Sequence, residues 1–161
     1  MVRFRVDKKE RPCFCVHNVP RNRAKQLFKN VLALRPMQGI GEEMLRVDVL
    51  RPESGRYHDD FGLALAVAMV ASMTRKRIGD QLLLVGDVDL AGNIQPASTE
   101  HVDGLNQAID AFQVESPVTI LCAPESATWI NSSSTVTVIP ARTLAEAVEA
   151  VWPGVELQPR Y

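Results

Sequence analysis

Residues 51–97 read RPESGRYHDDFGLALAVAMVASMTRKRIGDQLLLVGDVDLAGNIQPA, and this stretch decides the fold. From Phe61 to Met73 the chain uses only Phe, Gly, Ala, Leu, Val, Met and one Ser. A helix of that composition has no polar face, so it must be covered on all sides and is expected to be the central helix. It is too short to span a bilayer. After the basic break Thr74-Arg75-Lys76-Arg77, Leu82–Val85 is a short continuous apolar run, as expected of a strand buried on both faces. Gly86 and Gly92 then bracket a tight reversal. Its alternation predicts that Val88, Leu90 and Ile94 return to the core while Asp87, Asp89 and Asn93 face water.

Upstream, Val2, Phe4 and Val6 alternate with Arg3, Arg5 and Asp7, the pattern of a half-buried strand. Lys8–Arg11 reads as a turn and Pro12–Val16 as the returning strand, which together predict a hairpin. Asn18-Val19-Pro20 signals a helix start. The helix expected over Arg21–Leu34 puts Ala24, Leu27, Phe28 and Val31 on one face, and Arg21, Lys25 and Lys29 on another, with Arg23 near its start. Glu42–Arg51 alternates as a further strand. Downstream, Val102–Phe112 is amphipathic, Val118–Cys122 and Thr135–Ile139 read as strands, and Leu144, Val148 and Val151 line a last helix that Trp152-Pro153-Gly154 stops. Residues 1–154 are expected to form one domain, with the hairpin and basic helix in 1–35, a core over 44–152, and 155–161 as a loose tail.

A chain of 161 residues is long enough for a true core, and its net charge is only −1. The charges are unevenly spread. Sixteen of the 18 Lys and Arg lie in residues 1–77, while eleven of the 19 Asp and Glu lie in 78–161. A dipolar surface of this kind suits a polyanion on the basic side, or a second copy of the chain head to tail. The basic stripe Arg21, Lys25 and Lys29, with Arg23, is the best nucleic-acid feature, since no acidic residue lies between Arg21 and Gly41. No aromatic side chains interleave with it to stack bases. The three cysteines form no disulfide pattern: Cys13, Cys15 and Cys122 are expected to be reduced core residues. The Pro36–Gly41 loop lacks the Lys-Ser or Lys-Thr of a phosphate-binding loop, so any ATPase activity is expected on a partner or another part of a parent protein. The first six residues, Met-Val-Arg-Phe-Arg-Val, are too charged for a secretory leader, and a cytoplasmic location without a membrane partner is the expectation. No cofactor or metal is expected.

The apolar helix, the apolar strand and Gly86-Asp87-Val88-Asp89-Leu90-Ala91-Gly92, followed by Pro96, resemble the proteolytic domain of Lon proteases. They are also similar to the Lon-like domains of the RadA/Sms recombination ATPases and of the magnesium-chelatase/ComM family. The strand ending Cys122-Ala123-Pro124 and the run Thr143–Ala147 extend the resemblance over about residues 44–152. It implies an α/β fold of the ribosomal protein S5 domain 2-like type, and it suggests ring-forming oligomers that work with an ATPase in DNA metabolism or defence.

Active members pair a serine at the start of the central helix with a lysine after the Gly-acid turn; the lysine takes the serine proton. Counted without gaps, the serine position falls on Asp60 and the lysine position on His101. No lysine occurs after Lys76. The resemblance therefore implies a catalytically silent domain. A divergent peptidase or a metal-assisted hydrolase built from His58, Asp60, His101 and Asp103 is the enzymatic alternative, because the family fold would bring the two segments face to face. A purely structural protein–protein module is the third. Asp59, Asp60, Ser98 and Thr99 are equally suited to capping helices.

Overall fold

The computed structural model describes residues 2–5, 15–17, 19–37, 46–49, 59–112 and 116–158. Its centre is the apolar helix, α2 (Gly62–Thr74), in which only Ala64 and Ser72 are not fully buried. The helix ends at Arg75, whose left-handed φ of 54° lets Arg75 N and Lys76 N close back on Ser72 O and Ala71 O. Around α2 lie α1 (Arg21–Leu32), which buries Ala24, Leu27 and Val31, and α5 (Leu144–Val151), which buries Leu144, Ala147 and Val148. These side chains share one core with Leu121 and Trp152.

Three strands form a parallel sheet in the order β4 (Leu82–Val85), β7 (Val118–Cys122) and β8 (Val136–Pro140), with Leu82 opposite Thr119 and Val118 opposite Val136. Parallel sheets need cover on both faces. On one face, Leu82, Leu84 and Leu121 meet the core around α2. On the other, Val85, Ile120 and Cys122 meet α3 (Thr99–Phe112) through Val102, Leu105 and Ile109. The chain is thus a mixed helix–strand protein with a parallel sheet, as the apolar runs implied. Among the described residues no helix is long and apolar enough to cross a membrane.

The N-terminal strands correct one expectation. β1 (Val2–Arg5) and β2 (Cys15–His17) are not partners in a hairpin; both flank β3 (Arg46–Val49), β1 antiparallel with Val2 opposite Val49, and β2 parallel with Cys15 opposite Arg46. A two-stranded ribbon is marginal in water, and a central third strand satisfies the backbone groups of both short ones. The predicted turn Lys8–Arg11, Cys13, and most of the predicted Glu42–Arg51 strand lie outside the described residues.

The Gly86 reversal forms a small antiparallel pair, β5 (Asp87–Val88) with β6 (Ile94–Gln95). Val88 and Ile94 are buried as expected, but Leu90 is 81% exposed at the tip. It sits there because Asp89 closes the turn locally, its carboxylate accepting from Ala91 N, Asn93 N, Asn93 Nδ2 and Gln95 Nε2 at 2.8–3.1 Å. Burial alone would push the Asp89 carboxyl up; the hydrogen bonds from Asn93, Ala91 and Gly92 outweigh it and hold the group below its ordinary value. The turn docks on the start of α5 through Ile94 N to Arg142 O and Leu144 N to Gly92 O. The tail is not loose throughout, since Leu157 is buried in the main core.

A carboxylate, an imidazole and a hydroxyl between two helix starts

Asp60 lies in the short turn Asp59–Phe61 that leads into α2, and the strand β4 fixes it there. Gly86 N donates to Asp60 O, and Leu63 N donates to Gly86 O, both at 3.1 Å. Gly86 is required on its other side, by the reversal into β6: its φ is +122°, and a Cβ there would stand 2.6 Å from Gln95 O. The strand end and the helix start are therefore locked together, and Asp60 is held at their junction.

His101 comes from the first turn of α3. Ser98 caps that helix, its Oγ accepting from His101 N at 3.3 Å. Asp60 Oδ2 then stands 3.0 Å from His101 Nδ1 and accepts from Ser98 Oγ at 3.1 Å, while Oδ1 accepts from Ser98 N at 3.3 Å. Facing a carboxylate, Nδ1 carries the ring proton. Phe61 meets the imidazole edge to face at 6.1 Å between ring centres. Behind the segment, buried Ser126 accepts from Ala97 N at 3.0 Å and ties it to α4 (Pro124–Ala127). Nothing in the sequence pointed to Ser126, because its partner is a backbone amide 29 residues away.

The structure thus brings together two of the four residues in the proposed acid–base or metal cluster. Asp103, in the same first turns of α3, is exposed. His58 lies outside the described residues. Among those described, no three His, Cys, Asp or Glu side chains gather as a metal site. Chemically, an imidazole oriented by a carboxylate is half of a hydrolytic triad. The hydroxyl of this cluster sits on the carboxylate rather than on the imidazole, and both its bonding roles are used: it donates to Asp60 and caps α3. Its proton is directed at the Asp60 carboxylate, a weaker base than an imidazole, and not at His101.

The basic helix is divided. Arg21, Lys25 and Lys29 are exposed along α1, whereas Arg23 turns inward to an ion pair with Asp87 and donates to Val88 O at 2.7 Å. Gln26 and Asn30 continue that inner edge, with Asn30 Nδ2 donating to Asp89 O at 2.7 Å. Arg23 therefore stands apart from the outward stripe, and Asp87, expected to face water, is its half-buried partner. Gln26 and Asn30 were not singled out in the sequence, and the acid that receives Arg23 lies 64 residues on, where no local pattern points to it. Cys122 is a buried free thiol, as expected, and burial pushes it up to about 11.

The class defined by these features is an α/β protein with a carboxylate–imidazole–hydroxyl cluster joining two helix starts. No protein-family model matches the chain, and no curated protein does so at a significant level.

Proposed function

We propose that the chain is a Lon-like domain of the ribosomal protein S5 domain 2-like type that has lost Ser–Lys peptidase chemistry and works by assembly and binding. One observation carries this reading: the side chains at the two positions where the resemblance puts serine and lysine, Asp60 and His101, meet at 3.0 Å although 41 residues separate them. A carboxylate cannot act as the acyl acceptor of this class, and an imidazole whose Nδ1 is taken by that carboxylate does not replace a neutral lysine. The pair instead fastens the start of α2 to the start of α3.

Binding then falls to the outer edge of α1. Arg21, Lys25 and Lys29 stand at successive turns, exposed, with no acidic residue in the helix, an arrangement suited to the phosphates of DNA. An ATPase partner or fused ATPase domain and a role in DNA metabolism or defence follow from the resemblance alone. The test is fluorescence anisotropy with labelled duplex and single-stranded DNA over a salt series, run beside casein hydrolysis with and without zinc. Salt-dependent binding that weakens in Arg21→Ala/Lys25→Ala/Lys29→Ala, with no casein turnover, is the expected result. Turnover lost in His101→Ala would replace this reading with an enzyme. Flat anisotropy at low salt would leave a protein–protein module.

A further inference from the structure

We infer that the outer edge of α1 also receives a second copy of this chain, through an acidic stripe on α3, so that copies join head to tail. This deepens the assembly part of the proposed function but stands on the surface charges alone. On α3, Glu100, Asp103, Gln107 and Asp110 are exposed and fall at helical spacing on one edge, opposite the Val102, Leu105 and Ile109 edge that covers the sheet. The exposed charges of α3 are all negative, and those of α1 are all positive. Within the described residues neither set makes an ion pair; the ion pairs there join Arg23 to Asp87 and His101 to Asp60.

The two stripes cannot neutralise each other inside one molecule. α1 packs in the core on one face of the β4-β7-β8 sheet, and α3 packs on the other face. They are similar in length: Arg21 to Lys29 spans about 12 Å of helix and Glu100 to Asp110 about 15 Å. A partner carrying the matching charge at the matching length is therefore the chain itself. Because donor and acceptor surfaces lie on opposite faces, the contact is heterologous: each addition leaves one basic and one acidic edge free. DNA bound along α1 competes with the neighbouring copy for the same three cations.

Sedimentation velocity over a range of protein concentrations, at low and high salt, tests this with two charge-reversed proteins. One is Arg21→Glu/Lys25→Glu/Lys29→Glu; the other is Glu100→Lys/Asp103→Lys/Asp110→Lys. Wild type is expected to associate beyond a dimer at low salt and to dissociate as salt rises. Each reversed protein alone is expected to bind itself at least about tenfold more weakly, because like charges then face each other. Mixed one to one, the two are expected to associate again, since each supplies the edge the other has lost. A wild type that stays monomeric or stops at a dimer overturns the inference. So does association that survives both reversals, or a mixture no heavier than its parts. Should a triple variant lose its helical circular dichroism, Lys25→Glu and Asp103→Lys make the same comparison singly. Failure of the DNA reading is seen separately: Glu100→Gln/Asp103→Asn/Asp110→Asn removes the acidic edge without adding cations and keeps those of α1, so its anisotropy with DNA reports on that reading whatever the assembly does.

Discussion

Gly86→Ala should be among the most damaging single-methyl changes in the molecule. The backbone there has φ +122°, a region that residues with a Cβ occupy at a cost of about 1–3 kcal/mol. The added Cβ would also stand 2.6 Å from Gln95 O. That oxygen belongs to β6, whose Gln95 pairs with Asp87, so it cannot swing away as a side chain would. Displacing it opens the β5–β6 pair and adds about 1–2 kcal/mol, as for other forced overpacking. The sum is about 2–5 kcal/mol, or roughly 4–20 °C in Tm for a chain of this size. Two further glycines separate the terms. Gly92 has φ +86° but nothing within 4 Å of a Cβ, so Gly92→Ala should lose only the conformational term, about 1–2 kcal/mol. Gly104 lies inside α3 with open space around it, and Gly104→Ala should gain about 0.5–1 kcal/mol. Urea unfolding followed by circular dichroism gives all three. A Gly86→Ala protein no less stable than Gly92→Ala, or a destabilised Gly104→Ala, refutes the reasoning.

Asp60→Ala removes the acceptor of His101 Nδ1, Ser98 Oγ and Ser98 N; because solvent reaches the site, the loss should be only about 1–2 kcal/mol by urea midpoint. A loss below about 0.5 kcal/mol would show that the cluster does not join the two helix starts. Asp89 has a folded value below its ordinary 3.8, so its turn contributes stability that is present above that value and drains away as pH falls through the folded one. Asp89→Asn should therefore flatten the stability–pH curve as pH falls below 3.8, and an unchanged slope there counts against the turn. Arg75→Gly relieves a left-handed φ of 54° and should raise stability by about 0.5–1 kcal/mol; a loss would mean that the arginine side chain contributes more than the strain costs. Cys122, with its thiol pushed up to about 11, should resist a thiol reagent at neutral pH until the chain unfolds, and rapid labelling of folded protein would contradict its burial.

The parts of this fold legible in the sequence are those where a single segment states its own environment. The all-apolar Phe61–Met73 run could only be central, and Leu82–Val85 and Val118–Cys122 read as strands of one sheet, although β4 is not covered on both faces as expected: Leu83 is 42% exposed. What the sequence hid were choices between partners. Val2–Arg5 and Cys15–His17 carry strand signals, but alternation does not name the neighbour, and β3 took the place between them. Leu90 illustrates another limit: period-two alternation assumes a continuing strand, whereas Asp89 ends it by accepting four hydrogen bonds within its own turn. Arg23 belonged by type to the outward stripe. Its rotation inward depended on Asp87, which no local pattern joins to α1.

The same distinction bears on the cluster. The positions of Asp60 and His101 were reached by counting residues along a resemblance, and the counting says nothing about chemistry. Geometry adds the chemistry, and it favours a tie over a catalyst. Asp60 uses its acceptors on a capping hydroxyl, a backbone amide and an imidazole, each belonging to the first turn of α3 or its cap. A catalytic carboxylate of a triad would orient the imidazole and leave the hydroxyl to the other ring nitrogen. Here the hydroxyl faces the carboxylate, so the proton route from Ser98 through His101 is broken at its first step. What remains is a three-point clasp between two helices on opposite faces of the parallel sheet. It couples the α1–α2 side, where the cations lie, to the α3 side, where the acids lie. One carboxylate, that of Asp60, thereby holds the starts of both helices in a fixed relation.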